Sequence, residues 1–155
     1  MARRDALVRA GGYGEDLAVA QDYDLWLRLL PGHRFAKLPD RLYAFRVHGG
    51  QVSATKREAQ SRTSIDAKLR FLRRTAHLPA SPRVLIAGGG RGAALYREAL
   101  ERHGFAVVSG STSWDMAVFT DFATLDADVA RLAGLGASSC MDRIGNFLVR
   151  RSAAA

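Results

Sequence analysis

Apolar residues recur along this chain with two different periods, and the change falls close to residue 80. Before it the spacing is helical. Leu25, Trp26 and Leu29 stand at i, i+1 and i+4, and Ile65, Leu69 and Leu72 at i, i+4 and i+7, which predicts a helix over 22–30 and a long amphipathic helix over 55–76. Pro31-Gly32 stops the first, and Thr55 with Glu58 has capping-box spacing at the start of the second. A shorter helix is expected over 4–10, ended by Gly11-Gly12. Two short strands are expected at 34–38 and 42–47, joined by a turn at Pro39-Asp40. Tyr43 and Phe45 share one face of the second, and His48-Gly49-Gly50 breaks it.

Leu78-Pro79-Ala80-Ser81-Pro82 reads as a linker, because proline removes a backbone donor and disfavours helix in the residue before it. The chain therefore divides into 1–78 and 79–155. Continuous apolar runs follow, predicting strands at 83–87, 105–109, 116–120 and 146–150 and helices at 93–103 and 125–135, with a glycine loop at 88–92. Strand, helix, strand, strand, helix, strand is the rhythm of a small three-layer Rossmann-like α/β module with a mainly parallel sheet. The alanine tail at 153–155 is expected to fray.

Composition is that of an ordinary soluble chain, 48% apolar and 25% charged over 155 residues. No apolar run reaches the roughly 20 residues that span a bilayer, and no apolar core follows Arg3-Arg4 as in a secretory signal. A single cysteine, Cys140, excludes an intramolecular disulfide and a cysteine zinc site; with no histidine placed beside it by sequence, it reads as an idle thiol. The expected location is the cytoplasm. The net charge of +8 is uneven: residues 1–80 hold 15 Lys/Arg against 8 Asp/Glu, and 81–155 hold 8 against 7. Arg57, Arg62, Lys68, Arg70, Arg73 and Arg74 fall in one helical stretch, either a solvated face or a surface for anionic lipid or diphosphate; nucleic acid is disfavoured, since no aromatic interleaving or binding module accompanies the charge.

Asp22 and Asp24 sit at the mouth of the first predicted long helix, where unpaired N–H groups and the helix dipole favour negative charge. Spacing alone makes them first-turn charges or caps; a carboxylate there is also placed to act as a base. His48 lies at a predicted strand end before two glycines, with Arg46 two residues earlier. Gly88, Gly90 and Ala93 fit a G-x-G-x-x-G/A pattern, with Gly92 in the same loop, which lets a pyrophosphate approach a helix N-terminus or simply makes a tight turn. The acid expected after the second strand is missing, with Ser109-Gly110-Ser111 in its place, so a nicotinamide or flavin cofactor is not indicated.

Three blocks taken together resemble the acceptor-side half of a family 2 glycosyltransferase of GT-A fold. They are Arg3-Arg4-Asp5-Ala6-Leu7-Val8-Arg9-Ala10-Gly11-Gly12-Tyr13, then Gln21-Asp22-Tyr23-Asp24-Leu25-Trp26, then Leu42-Tyr43-Ala44-Phe45-Arg46-Val47-His48-Gly49-Gly50-Gln51-Val52-Ser53. The resemblance covers roughly residues 1–75, with Gln21 where the family more often has Glu. It implies a partial GT-A acceptor half, made of helices, a short two-stranded element and a long amphipathic helix, joined to the Rossmann-like module. It further implies inverting transfer from a nucleotide-diphosphate sugar to an acceptor hydroxyl, Asp22 as general base, and Asp24, Arg46 and His48 near substrate or diphosphate. A divalent Mg²⁺ or Mn²⁺ near His48 is implied only with a donor-binding half. No Asp-x-Asp motif ends a buried strand: Asp22-Tyr23-Asp24 and Asp126-Ala127-Asp128 both fall at helix starts. The expectation is thus a fragment inactive by itself, whose exposed apolar patch around Leu25, Trp26, Leu29, Tyr43 and Phe45 is covered by a donor-half polypeptide or in a homodimer, with peripheral attachment to the inner membrane face open. The alternative is a non-catalytic nucleotide- or anion-binding module built on the glycine loop.

Overall fold

The computed structural model describes residues 2–36, 38–40, 42–44, 46–110, 113–121, 123, 125–134, 141–144 and 146–150. The chain forms two compact units, Met1–Phe71 and Leu72–Ala155.

In the first unit, α1 (Arg4–Arg9) ends as its glycines require. Gly11 and Gly12 take φ of 82° and 63°, and their N–H groups return to Val8 and Leu7 carbonyls in the paired pattern of a Schellman cap. Helix α2 (Gln21–Leu29) runs into a single 3₁₀ turn over Leu30–Gly32. Ala6, Leu25 and Leu29 form the joint between α1 and α2, with Leu7 and Ala10 packed against them. The expected long helix forms as α4 (Arg57–Thr75), and α3 (Val52–Thr55) is a separate turn before it. The capping box does not form, because the Thr55 hydroxyl donates back to the Gln51 carbonyl at 3.1 Å, the local bond that competes with capping. Ile65, Leu69 and Leu72 are buried as the periodicity requires.

The two expected strands at 34–38 and 42–47 are not formed by their described residues, which are irregular and exposed; Phe45 lies outside the described residues. Two short strands alone are marginal in water without a third strand or a core beneath them. Trp26 instead meets Phe35 edge-on, ring centroids 5.9 Å apart.

The second unit is α/β, an open mixed sheet with helices. Its strands are β1 (Arg83–Ala87), β2 (Ala106–Val108), β3 (Met116–Phe119), β4 (Met141–Ile144) and β5 (Phe147–Arg150), in the order β2-β1-β3-β5-β4. β1 pairs parallel with β2 and β3, whereas β5 runs antiparallel to β3 and to β4. The sheet is therefore mixed, where a mainly parallel one was expected. β4, which sequence reading missed, turns straight into β5, so β5 enters from a hairpin and not from a helical crossover. Helix α5 (Gly90–Arg102) joins β1 to β2, and α6 (Leu125–Gly134) follows β3. Successive residues of β5 face opposite ways. Phe147 meets Tyr96 of α5 at 5.7 Å between ring centroids, while Leu148 packs in a cluster with Leu132, Leu125 and Val129 of α6. The two helices thus cover opposite faces, and Met116, Ala117, Val118 and Phe119 between them are all buried.

Arg73, in the last turn of α4, fastens this unit's entry. It donates to the carbonyls of Ala80 at 3.0 Å, His103 at 2.9 Å and Gly104 at 3.1 Å, and its guanidinium lies 4.2 Å from the Phe105 ring centroid. Among the described residues no helix is long and apolar enough to cross a membrane.

Candidate functional sites

The first candidate site is the N-terminus of α2, and a half-buried arginine holds it in place. The cap of α1 turns the Ala10 and Gly12 carbonyls toward α2, where Arg28 donates to both, to Gly12 at 2.6 Å. The same guanidinium binds Asp24 through Nε at 2.8 Å, and Arg70 of α4 reaches the other Asp24 oxygen at 3.3 Å. Asp24, at 12% side-chain exposure, is thus held between two arginines.

Asp22 is different. It is exposed, and its Oδ1 accepts the neighbouring Tyr23 N–H at 2.8 Å. Residues two apart on a helix point about 200° away from each other, so burying Asp24 turns Asp22 outward. Ala20 precedes the helix in a left-handed conformation, φ 56°, and provides no side-chain cap; Gln21 bonds back to the Leu17 carbonyl. The two acids at the mouth of this helix thus differ: Asp24 is paired with two arginines and Asp22 is exposed.

Arg46 and His48 are exposed in the irregular stretch before α3. The His48 N–H donates to Gln51 Oε1 at 3.4 Å, and the Gln51 N–H returns to the His48 carbonyl at 3.3 Å, a turn that leads into α3. Among the described residues no hydrogen bond or ion pair joins Asp22 to Arg46 or His48. No three His, Cys, Asp or Glu side chains gather as a metal site among the described residues.

The second candidate site is the turn from β1 to α5. Gly88 (φ 112°) and Gly90 (φ 68°) both take backbone that a side chain disfavours. The helix starts at Gly90 and not at residue 93 as expected, so Gly90 and Gly92 lie within its first turn. A Cβ at Gly88 would collide with Thr120 Oγ1, and one at Gly92 would meet Thr120 Cβ at 3.5 Å. Thr120, just after β3, donates its N–H and hydroxyl to the Ala87 carbonyl at 2.9 and 3.3 Å. The glycines thus let the ends of β1 and β3 close on each other. β1 lies between β2 and β3, so its carboxyl end is the point where the chain crosses to one side and then the other, where open α/β sheets bind ligands. Asp121 is exposed there but turned to its own loop, accepting the Ala123 N–H at 2.9 Å.

Sequence reading missed a polar pair beside this turn. Asn146 is buried and donates to the Phe119 carbonyl at 2.8 Å and the Tyr96 hydroxyl at 3.0 Å. Burial pushes the Tyr96 phenol above its ordinary value of 10.0, against the pull of the Asn146 hydrogen bond. Cys140 lies outside the described residues.

Comparison of the chain with protein-family models, curated proteins and solved structures finds no match in any of the three.

Proposed function

We propose that residues 1–75 are the acceptor-side segment of a family-2-like glycosyltransferase of GT-A type, with Asp22 as its general base. The observation that supports this most is the outward carboxylate of Asp22 on a helix whose second acid, Asp24, is fixed by Arg28 and Arg70. A base must be accessible and rigidly mounted, and this helix mounts one carboxylate by burying another. In the reaction the acceptor hydroxyl gives its proton to Asp22 as its oxygen bonds to the anomeric carbon. The bond from that carbon to the diphosphate breaks, the electron pair leaves with the nucleoside diphosphate, and the configuration inverts. His48 is the side chain offered to that leaving group. The donor-binding half is another polypeptide segment or partner.

The test is sugar transfer by the chain joined to such a half. Asp22→Asn keeps shape but cannot take a proton, so turnover should fall by about 10² or more with donor affinity nearly unchanged. Equal loss in a folded Asp24→Asn variant, or collapse of donor binding in Asp22→Asn, would show that the base is misassigned.

A second reading is favoured by the place of Gly88 and Gly90 at the carboxyl end of β1 between β2 and β3. There the Rossmann-like unit is a non-catalytic nucleotide- or anion-binding module. Calorimetry with nucleotide-sugars and nicotinamide cofactors separates the two: a complex abolished by Gly90→Val, in a chain without transferase activity, favours the second.

A further inference from the structure

Every described residue from 31 to 50 is exposed, although this stretch carries some of the largest apolar side chains of the first unit. Phe35 and Leu38 are 50% exposed, Leu42 70%, Val47 78% and Tyr43 81%. Left in water, such surface costs about 25 cal/mol per Å² relative to a covered state. Its neighbours in sequence narrow what covers it. Arg34 and Arg46 are exposed beside these residues, and the sequence adds Lys37 and Arg41 between them against one acid, Asp40. An occupant must therefore present closely spaced negative charge and an apolar layer within one side chain's length of it. Nucleic acid offers phosphates and stacking for Phe35 and Tyr43, but nothing that buries Leu38, Leu42 and Val47. An acyl layer beneath anionic headgroups offers both.

We propose that residues 33–47 dock the protein on an anionic lipid surface. Leu38, Leu42 and Val47 enter the boundary between headgroups and acyl chains, Phe35 and Tyr43 lie at headgroup depth, and Arg34 and Arg46 meet lipid phosphates. The attachment proposed is peripheral; among the described residues no helix is long and apolar enough to span a membrane. The inference does not rest on the transferase reading, because it uses only the exposure and charge of this stretch.

Co-sedimentation of the full chain with phosphatidylcholine vesicles, with and without phosphatidylglycerol, tests it. Binding is expected only with phosphatidylglycerol and should weaken with added salt. Arg46→Ala should weaken it about fivefold, whereas Arg97→Ala, the same loss of charge at an exposed position in α5, should leave it within about twofold. Leu42→Ser with Tyr43→Ser should weaken it at least about tenfold with unchanged circular dichroism, because neither side chain is part of a core. Undiminished binding by that double variant would overturn the proposal, as would equal effects of Arg46→Ala and Arg97→Ala. Failure to sediment with phosphatidylglycerol vesicles while binding single-stranded DNA or an acidic protein would overturn it too.

Discussion

Arg70 reaches Asp24 across 46 positions of sequence, at 3.3 Å, and makes α4 a brace for the N-terminus of α2. Arg28 holds the same carboxylate from the other side and is itself fixed by the carbonyls that close α1. Three helices thus converge on one acid, whose removal should be felt as lost stability. Asp24→Asn leaves Arg28 facing carbonyls without its counter-charge and should cost about 2 kcal/mol in urea unfolding. Arg70→Ala should cost less than about 1 kcal/mol, since the Arg70 side chain is 44% exposed and solvent screens its half of the pair. A larger loss for Arg70→Ala than for Asp24→Asn would count against the bracing role.

Part of this was legible in the sequence. The periodicities of Leu25 to Leu29 and Ile65 to Leu72 gave α2 and α4, and Gly11-Gly12 marked the end of α1, because each depends on neighbours within a turn or two. The partnership of Asp24 with Arg70 was not legible, since it depends on how two helices pack. Arg73 illustrates the same limit: in sequence it is one of several helical cations, yet it caps three carbonyls and covers Phe105. β4 carries a usable signal in the sequence. Gly145-Asn146 between Ile144 and Phe147 is a two-residue hairpin sequence, masked by the charges of Asp142 and Arg143. The strands expected at 34–38 and 42–47 had the composition of strands, but sequence alone does not say whether a sheet is there to receive them.

Arg73→Lys should destabilise the second unit by about 1 to 2 kcal/mol, because an ammonium cannot keep three diverging carbonyls and a stack on Phe105 together. The measurement is urea unfolding followed by circular dichroism. A loss below about 0.5 kcal/mol would mean that the hydrogen bonds are individually replaceable by water.

Tyr96 gives alkaline stability a definite sign. The folded phenol titrates above its ordinary value because burial opposes the phenolate, so in base the unfolded chain loses its proton first. This group's contribution is complete below about pH 10 and is lost as pH rises toward the folded pKa. Urea midpoints across about pH 9 to 11 should fall less steeply in Tyr96→Phe than in the parent chain. The same variant should lose about 1 kcal/mol at neutral pH, where the Asn146 amide keeps Phe119 O but not the hydroxyl. Identical alkaline slopes would show that Tyr96 does not contribute.

Gly88 and Gly90 look alike in sequence, but the geometry separates them. Both have positive φ, which alone disfavours alanine by about 1 kcal/mol. Gly88 also abuts Thr120, which is fixed by two hydrogen bonds to Ala87, whereas a Cβ at Gly90 meets nothing within 4 Å. Gly88→Ala should therefore cost about 2 kcal/mol more than Gly90→Ala. Thr120→Ala in the Gly88→Ala background should return part of that difference, because it removes the hydroxyl that the new methyl meets while leaving φ unchanged. A double-mutant cycle by urea unfolding reads this coupling directly. Strict additivity would mean that Gly88 is required by its backbone angle alone and that the closure of β1 on β3 tolerates a side chain between them.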